Sequence, residues 1–361
     1  MLAFKRFAAL AALGSAAAAG AVTPLAAQEQ APAARPAATW SHDRSGLTFP
    51  AEVAGFVRGD SKQYDKDGYN IGIAFRDPAN GTWADLFIYR AAPASVAVWG
   101  DRAAAGMFAN PMLGDVDVNA VSIMRFTPPG GAGANSGLRI VTPTKGDLAA
   151  SGLALWLHDG WLVKLRMSSK TQDAATLEAR MAQFIAAVTL PAATRPAPAF
   201  AEIRDCAAPM KPGKKARLVQ LDMMGSIMIG GLMGVLNDKK LEQAAGTQAS
   251  ATPDPVWCRD AGSQPQYGIY RSADGVEGYL IALGDTGTSL SVAGYDAGPL
   301  MKPSKGFLVT QSDGVTEQVY PPFDKRPTPE QALGLPGNIG PVFTAGLLEE
   351  NKGTTIRVPG K

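Results

Sequence analysis

Residues 158–168 read HDGWLVKLRMS, and their pattern decides how the first half of this chain folds. Asp159-Gly160 is a two-residue turn signal, and beyond it Trp161, Val163, Leu165 and Met167 alternate with Leu162, Lys164, Arg166 and Ser168. A period of two sends the first set to one face of a strand and the second set to the other. The expectation is a hairpin with strands at 152–158 and 161–168, one face buried and the other mostly wet.

Working outward, the same alternation and turn chemistry predict strands at about 47–57, 69–76, 82–90, 117–126 and 137–142, with Asp77-Pro-Ala-Asn-Gly81 as a connecting turn. A helix is expected at 95–109, N-capped by Ser95, with Trp99, Ala103, Met107 and Phe108 along one face. A second is expected at 172–189, where Leu177, Met181, Phe184, Ile185 and Val188 recur at helical spacing and Ser169 with Gln172 could form a capping box. This rhythm, with LTFPAEVAGFVRGDSKQYDKDGYNIGIAFRD (47–77) and WADLFIYR (83–90) at one end and WLVKLRMSSKTQDAATLEARMAQFIAAV (161–188) at the other, resembles the PsbP/Mog1/DcrB-like group of small α/β sandwich domains. The resemblance covers about residues 40–190 and rests on element order, with no diagnostic motif. It implies a binding or assembly module without a shared active site, and no family residue carries over.

The chain has 361 residues, enough for two domains, with 46% hydrophobic and 18% charged residues. Residues 1–27 read as a secretory signal: Lys5 and Arg6, an Ala/Leu-rich stretch over 7–22, and a small-residue exit ending at Ala27. Cleavage there removes two cations and no acid, so the formal charge of +2 becomes zero. A neutral mature chain has no electrostatic footprint for nucleic acid. The expected organisation is a Pro/Ala linker at 28–39, the sandwich domain at 40–190, a linker at 191–199 (beginning PAATRPAP) and a second domain at 200–361. The fold class expected is α+β: an N-terminal antiparallel sheet with flanking helices, then a disulfide-linked α+β domain.

In that second half, Cys206 and Cys258 are the two cysteines of the chain, without CxxC spacing, and in an oxidising periplasm they should pair. A helix is expected at 216–243, followed by a loop at 246–255 and strands at 266–272, 278–283, 289–294, 306–310 and 315–320. Thr328-Pro-Glu-Gln331 carries the marks of one short capped helix. Within 216–243 lies MMGSIMIGGLMGVL, residues 223–236, uncharged throughout, with Ser226, Gly230 and Gly234 four apart. On a helix these three form a smooth stripe that another backbone can approach closely. Fourteen helical residues reach only about 21 Å, short of a membrane core of about 30 Å. Internal packing is therefore the leading account of the stripe, with a protein partner or membrane attachment as alternatives. Met223, Met224, Met228 and Met233 raise a Cu(I) thioether site, but with no His or Cys nearby they read as core filling.

Catalytic signatures are thin. The two histidines, His42 in WSHDRSG and His158 before the hairpin turn, stand in no nucleophile motif, and GxSxG, HExxH and P-loop patterns are absent. Asp65-Lys-Asp67-Gly68 and Asp115-Val-Asp117-Val-Asn119 fall short of a calcium loop and read as a turn and the polar face of a strand. Gly130–Gly137 misses the dinucleotide fingerprint and reads as a loop. The sequence thus implies no catalytic residue, metal or cofactor. It points to an exported periplasmic binding or envelope-assembly module, with an unidentified protein or small molecule as partner. The alternatives are a secreted hydrolase, in which His42 or His158 would gather Ser and Asp in one pocket, and a membrane-attached assembly factor using residues 223–236.

Overall fold

Alternating apolar residues recur along most of the chain, and the strands they make assemble into three sheets. The structure, a computed structural model, describes residues 38–211, 215–222, 224–231, 233, 255–273, 275, 277–296, 298 and 304–357. The stretch expected to be a signal, most of the Pro/Ala stretch, Gly234 and nearly all of 232–254 lie outside these residues. A two-stranded ribbon pairs β1 (Thr39–Ser41) with β2 (Thr48–Pro50). Next comes an eight-stranded antiparallel sheet of β3 (Glu52–Val53), β4 (Phe56–Gln63), β5 (Asn70–Asp77), β6 (Thr82–Tyr89), β7 (Ser122–Phe126), β8 (Gly137–Pro143), β9 (Ala150–His158) and β10 (Trp161–Ser169), ordered β3-β4-β5-β6-β10-β9-β8-β7. The last is a nine-stranded sheet in simple sequence order: β11 (Arg204–Asp205), β12 (Trp257–Arg259), β13 (Tyr267–Ser272), β14 (Gly278–Leu283), β15 (Ser289–Asp296), β16 (Lys305–Ser312), β17 (Thr316–Val319), β18 (Phe343–Gly346) and β19 (Thr354–Ile356).

Two helices cover the eight-stranded sheet. On one face α2 (Ala174–Ala187) lays Leu177, Met181, Phe184 and Ile185 against Val163, Leu165 and Met167 of β10 and Ile73 and Phe75 of β5. On the other, α1 (Val96–Phe108), N-capped by the Ser95 hydroxyl, packs on β8 and β9. The opposite side of α1 meets β13 and β14 of the second sheet, so Tyr270, Leu280 and Ala282 share one core with Val98, Trp99 and Ala103. All described residues belong to one compact unit.

Two glycines permit the closest approach between the halves. Gly287 and Gly314, at φ +87° and +81°, abut the chain at 90–91, where an added Cβ would lie 2.4 Å from the Arg90 carbonyl and 2.6 Å from the Ala91 nitrogen. Both the left-handed backbone and the missing side chain are required there. The Ala92 N–H then donates to the Gly287 carbonyl at 2.9 Å.

Several expectations need correction. The chain is not α+β with flanking helices as its defining class; it is mostly β, with nineteen strands in three sheets among the described residues and only short helices. The strands that went unread are short (β1, β11, β12, β18, β19) or polar, as in the FVRGDSKQ of β4, whose backbone pairing with β5 holds it despite a register shift between Arg58 and Ser61. Of the helix expected from 216, residues 216–222 are not helical. Leu218 instead bridges Phe323, and Asp222 caps the later start by accepting the Gly225 N–H at 2.7 Å. Residues 224–231, here α3, and Met233 are helical. The strand expected from 117 begins at Ser122, because the Asp117 carboxylate caps a 3-10 turn over Val118–Ala120. Asp173 rather than Ser169 caps α2, while the Ser169 hydroxyl accepts from Thr171 and Gln172 N–H. The face of β10 expected to be wet is covered: Leu162 and Lys164 are buried and Arg166 and Ser168 are half-buried, beneath α1 and the β14–β15 turn. As expected, Thr328 and Gln331 form a capping box, on α4 (Pro329–Leu333).

Candidate ligand-binding cleft

The covered face of β10 opens at one end into a cleft of about 410 Å³. Its floor comes from neighbouring strands in register, with Lys164 opposite Phe87 and Leu162 opposite Tyr89. Phe87 in turn pairs with Gly72 of β5, where a Cβ would sit 3.0 Å from the Tyr64 ring, so the glycine lets Tyr64 lie down beside Phe87. The walls are Arg102 and Gly106 of α1 and the Gly284-Asp285-Thr286 turn between β14 and β15.

Charge organises this space. Lys164 Nζ donates to Asp285 Oδ1 at 2.7 Å and an Arg166 N–H donates to Oδ2 at 2.7 Å, so a single carboxylate from a turn 121 residues away from Lys164 bridges two cations on one strand. Lys164 is 4% exposed, with its ammonium 4.8 Å from the Phe87 ring centre and 5.1 Å from that of Tyr89. Burial lowers the Lys164 pKa and Asp285 opposes that shift, which favours the ammonium. Arg102 spends its donors on backbone: Nε on the Gly284 carbonyl at 2.9 Å and its terminal nitrogens on the Pro265 and Gln264 carbonyls at 2.6 and 3.4 Å. Three cations and one carboxylate therefore line the cleft, an excess of positive charge.

Two polar atoms at this site are buried without a hydrogen-bond partner among the described residues: the Tyr89 hydroxyl and Arg166 Nε. Tyr89 is only 2% exposed, and burial, then the charge of Asp285, pushes its phenol well above the usual range, so it stays a neutral donor. Buried polar groups nearly always find partners, and the Tyr89 hydroxyl beside this cationic cleft is one of several buried side-chain atoms among the described residues that have no hydrogen-bond partner.

The residues singled out from the sequence lie elsewhere. Cys206 and Cys258 form a disulfide with Cα atoms 4.8 Å apart, beside the parallel pairing of β11 with β12. Ser226 and Gly230 lie on the packed face of α3: Ser226 is fully buried, and a Cβ at Gly230 would lie 2.6 Å from Ile356 of β19. Gly234 and Met223 lie outside the described residues, while Met233 is buried and Met224 is 60% exposed, on different faces of the helix. Among the described residues no helix is long and apolar enough to cross a membrane.

Neither histidine lines this cleft. His42 donates from Nε2 to the Gly68 carbonyl at 2.9 Å and accepts at Nδ1 from the Ser45 hydroxyl at 2.6 Å. That Ser contact lies inside a tight loop closed by the His42 N–H on the Leu47 carbonyl, and the ring nitrogen an orienting carboxylate would occupy faces a backbone carbonyl instead. His158 is 2% exposed and its Nδ1 has no hydrogen-bond partner among the described residues. Asp65 accepts the Gly68 and Tyr69 N–H groups, as a turn-forming aspartate does. The sequence offered one signal for the cleft, a Lys and an Arg two apart on a strand otherwise apolar up to its two terminal serines, and that pattern also fits a wet face. No protein-family model, curated protein or solved structure matches this chain.

Proposed function

We propose that this chain is an exported, non-catalytic binding protein whose small-molecule ligand occupies the cleft between β10, α1 and the β14–β15 turn. The observation that carries the reading is the pair of buried donors left unpaired there, the Tyr89 hydroxyl and Arg166 Nε, in a cleft with excess positive charge. A purely structural ion pair would need only Asp285 with Lys164 and Arg166, and would gain nothing from an unsatisfied phenol next to it. Placement in the periplasm is part of the proposal, supported by the Cys206–Cys258 disulfide, which an oxidising compartment maintains.

The experiment is a small-molecule library screen by amide NMR on the mature protein. Binding in the cleft should move the signals of Gly106, Gly284 and Thr286 while leaving those of Gly337 and Asn338 in place. If no compound at millimolar concentration moves the cleft amides, the reading fails.

A further inference from the structure

We infer that the ligand of this cleft is a small carboxylate carrying a planar apolar ring, an inference that rests on the cleft being a binding site. The site already displays how it treats a carboxylate, since each oxygen of Asp285 accepts from a different cation at 2.7 Å. Those two bonds, with the longer ones at 3.4 Å from Lys164 to the Asp285 carbonyl and from Arg166 to the Ala103 carbonyl, do not exhaust the donors. Lys164 has three ammonium protons and Arg166 five guanidinium N–H groups, and Arg166 Nε and the Tyr89 hydroxyl are unpaired. A ligand carboxylate that takes the remaining donors would also balance part of the excess positive charge among Arg102, Lys164 and Arg166.

A phosphate is a poorer fit. Phosphate sites usually use free backbone N–H groups at helix starts or glycine-rich nests. Here α1 meets the cleft through Arg102 and Gly106, well past its first turn, where the amides are already bonded within the helix. The donors on offer are side chains, among them the Arg166 guanidinium, whose planar fork matches a carboxylate.

The apolar part of the ligand follows from the other lining residues. Tyr64 and Phe87 lie with ring centres 6.2 Å apart and interplanar angle 37°, and both line the cleft with Tyr89. Tyr64 is 51% exposed and so presents an open aromatic surface at the mouth. A planar ring docked there buries its faces on aromatic carbon while its carboxylate reaches the inner donors. The strand register places both requirements together, since Phe87 and Lys164 are direct cross-strand partners.

The test titrates mature protein with benzoate, benzamide and acetate, following the Gly106, Gly284 and Thr286 amides. Benzoate should bind at least about tenfold more tightly than benzamide, which keeps the ring and loses the charge, and than acetate, which keeps the charge and loses the ring. Tyr89→Phe should weaken benzoate by about tenfold while leaving thermal stability unchanged or higher, because it deletes an unsatisfied hydroxyl and no contact of the fold. Tyr64→Ala, at an exposed position, gives a second variant that should lose affinity and stay folded.

Equal binding of benzamide and benzoate in the cleft would overturn the carboxylate class and leave the binding cleft standing. Benzoate affinity unmoved in both variants would overturn the assignment of donors and ring. If neither these probes nor any library compound moves the cleft amides, the cleft reading itself falls.

Discussion

The two faces of β10 are buried by opposite means. Toward α2, the strand presents Val163, Leu165 and Met167, each fully buried in a cluster with Phe56, Phe75 and Phe184. Toward α1 it presents Leu162, Lys164 and Arg166, and the last two lie under α1 and the β14–β15 turn, whose Asp285 pairs with both. The apolar face is held by packing that would survive small shifts, whereas the charged face depends on one carboxylate in one turn. The second kind of burial keeps cations beside open space, and it is there that the cleft opens.

The largest effect expected is on the apolar face. Phe184 meets Phe56 and Phe75 edge-on at centroid distances of 5.6 and 5.1 Å and is fully buried. Phe184→Ala should cost about 4 kcal/mol in denaturant unfolding, through lost burial and the cavity left behind. A cost near 1 kcal/mol would mean that the α2 side is no better packed than the cleft side, and the contrast would collapse.

The next effect probes the charged face. Asp285→Ala leaves Lys164 buried against Phe87 and Tyr89 without its counter-charge, and should cost about 3 kcal/mol. Adding Lys164→Met should recover much of that loss, since the penalty comes from the stranded ammonium rather than from a missing contact. A double variant no more stable than Asp285→Ala alone would show that the β14–β15 turn matters for its backbone, not its charge.

This contrast also explains how much of the molecule could be read in advance. Residues 161–168 announce a strand, and Leu177, Met181, Phe184 and Ile185 announce the helix that covers one side of it, because local periodicity encodes those facts. The partner of Lys164 and Arg166 is not local. Asp285 lies in a Gly-Asp-Thr-Gly turn that by itself reads as hairpin chemistry, and pairing across 121 residues leaves no trace in either segment's period. The expectation of a wet face was therefore the natural reading of Lys164 and Arg166, and long-range packing overturned it. Strands such as β11, β12 and β19 escaped for a related reason: at two or three residues they have no period to detect, and their sheet neighbours define them.

A third, smaller effect concerns Asp77, where α2 is pinned to the end of β5. Burial pushes its carboxyl up, but hydrogen bonds from Asn80 and Arg180, the latter at 2.6 Å, outweigh that and hold it below the usual range. A depressed folded pKa stabilises above the unfolded value of about 3.8 and loses that contribution as pH falls through the folded one. Arg180→Met should cost about 2 kcal/mol at neutral pH, and the difference from wild type should shrink below pH of about 4. A difference that is constant with pH would assign the loss to the Arg180 stack over Phe56, 4.7 Å from its ring centre, and not to the ion pair.

The smallest effect is a pH slope from the two histidines, and it asks whether the apolar side tolerates charge at all. Burial lowers the pKa of both His42 and His158 below 6.5; the Gly68 hydrogen bond and Asp43 oppose it at His42, and Asp159 opposes it at His158. For a base with a depressed folded pKa, the unfolded chain takes up protons first as pH falls. Stability should thus be full above about pH 6.5 and decline as pH drops from there toward the folded values. His158→Phe should flatten part of that slope without harm at neutral pH, since its Nδ1 has no partner to strand. His42→Phe should instead lose stability at every pH, because Ser45 and the Gly68 carbonyl would each lose a partner. Thermal unfolding of the three proteins between pH 7.5 and 5 checks this, and a flat wild-type profile would mean that the imidazoles accept protons in place, so that charge is no more costly on this side of the sheet than in the cleft.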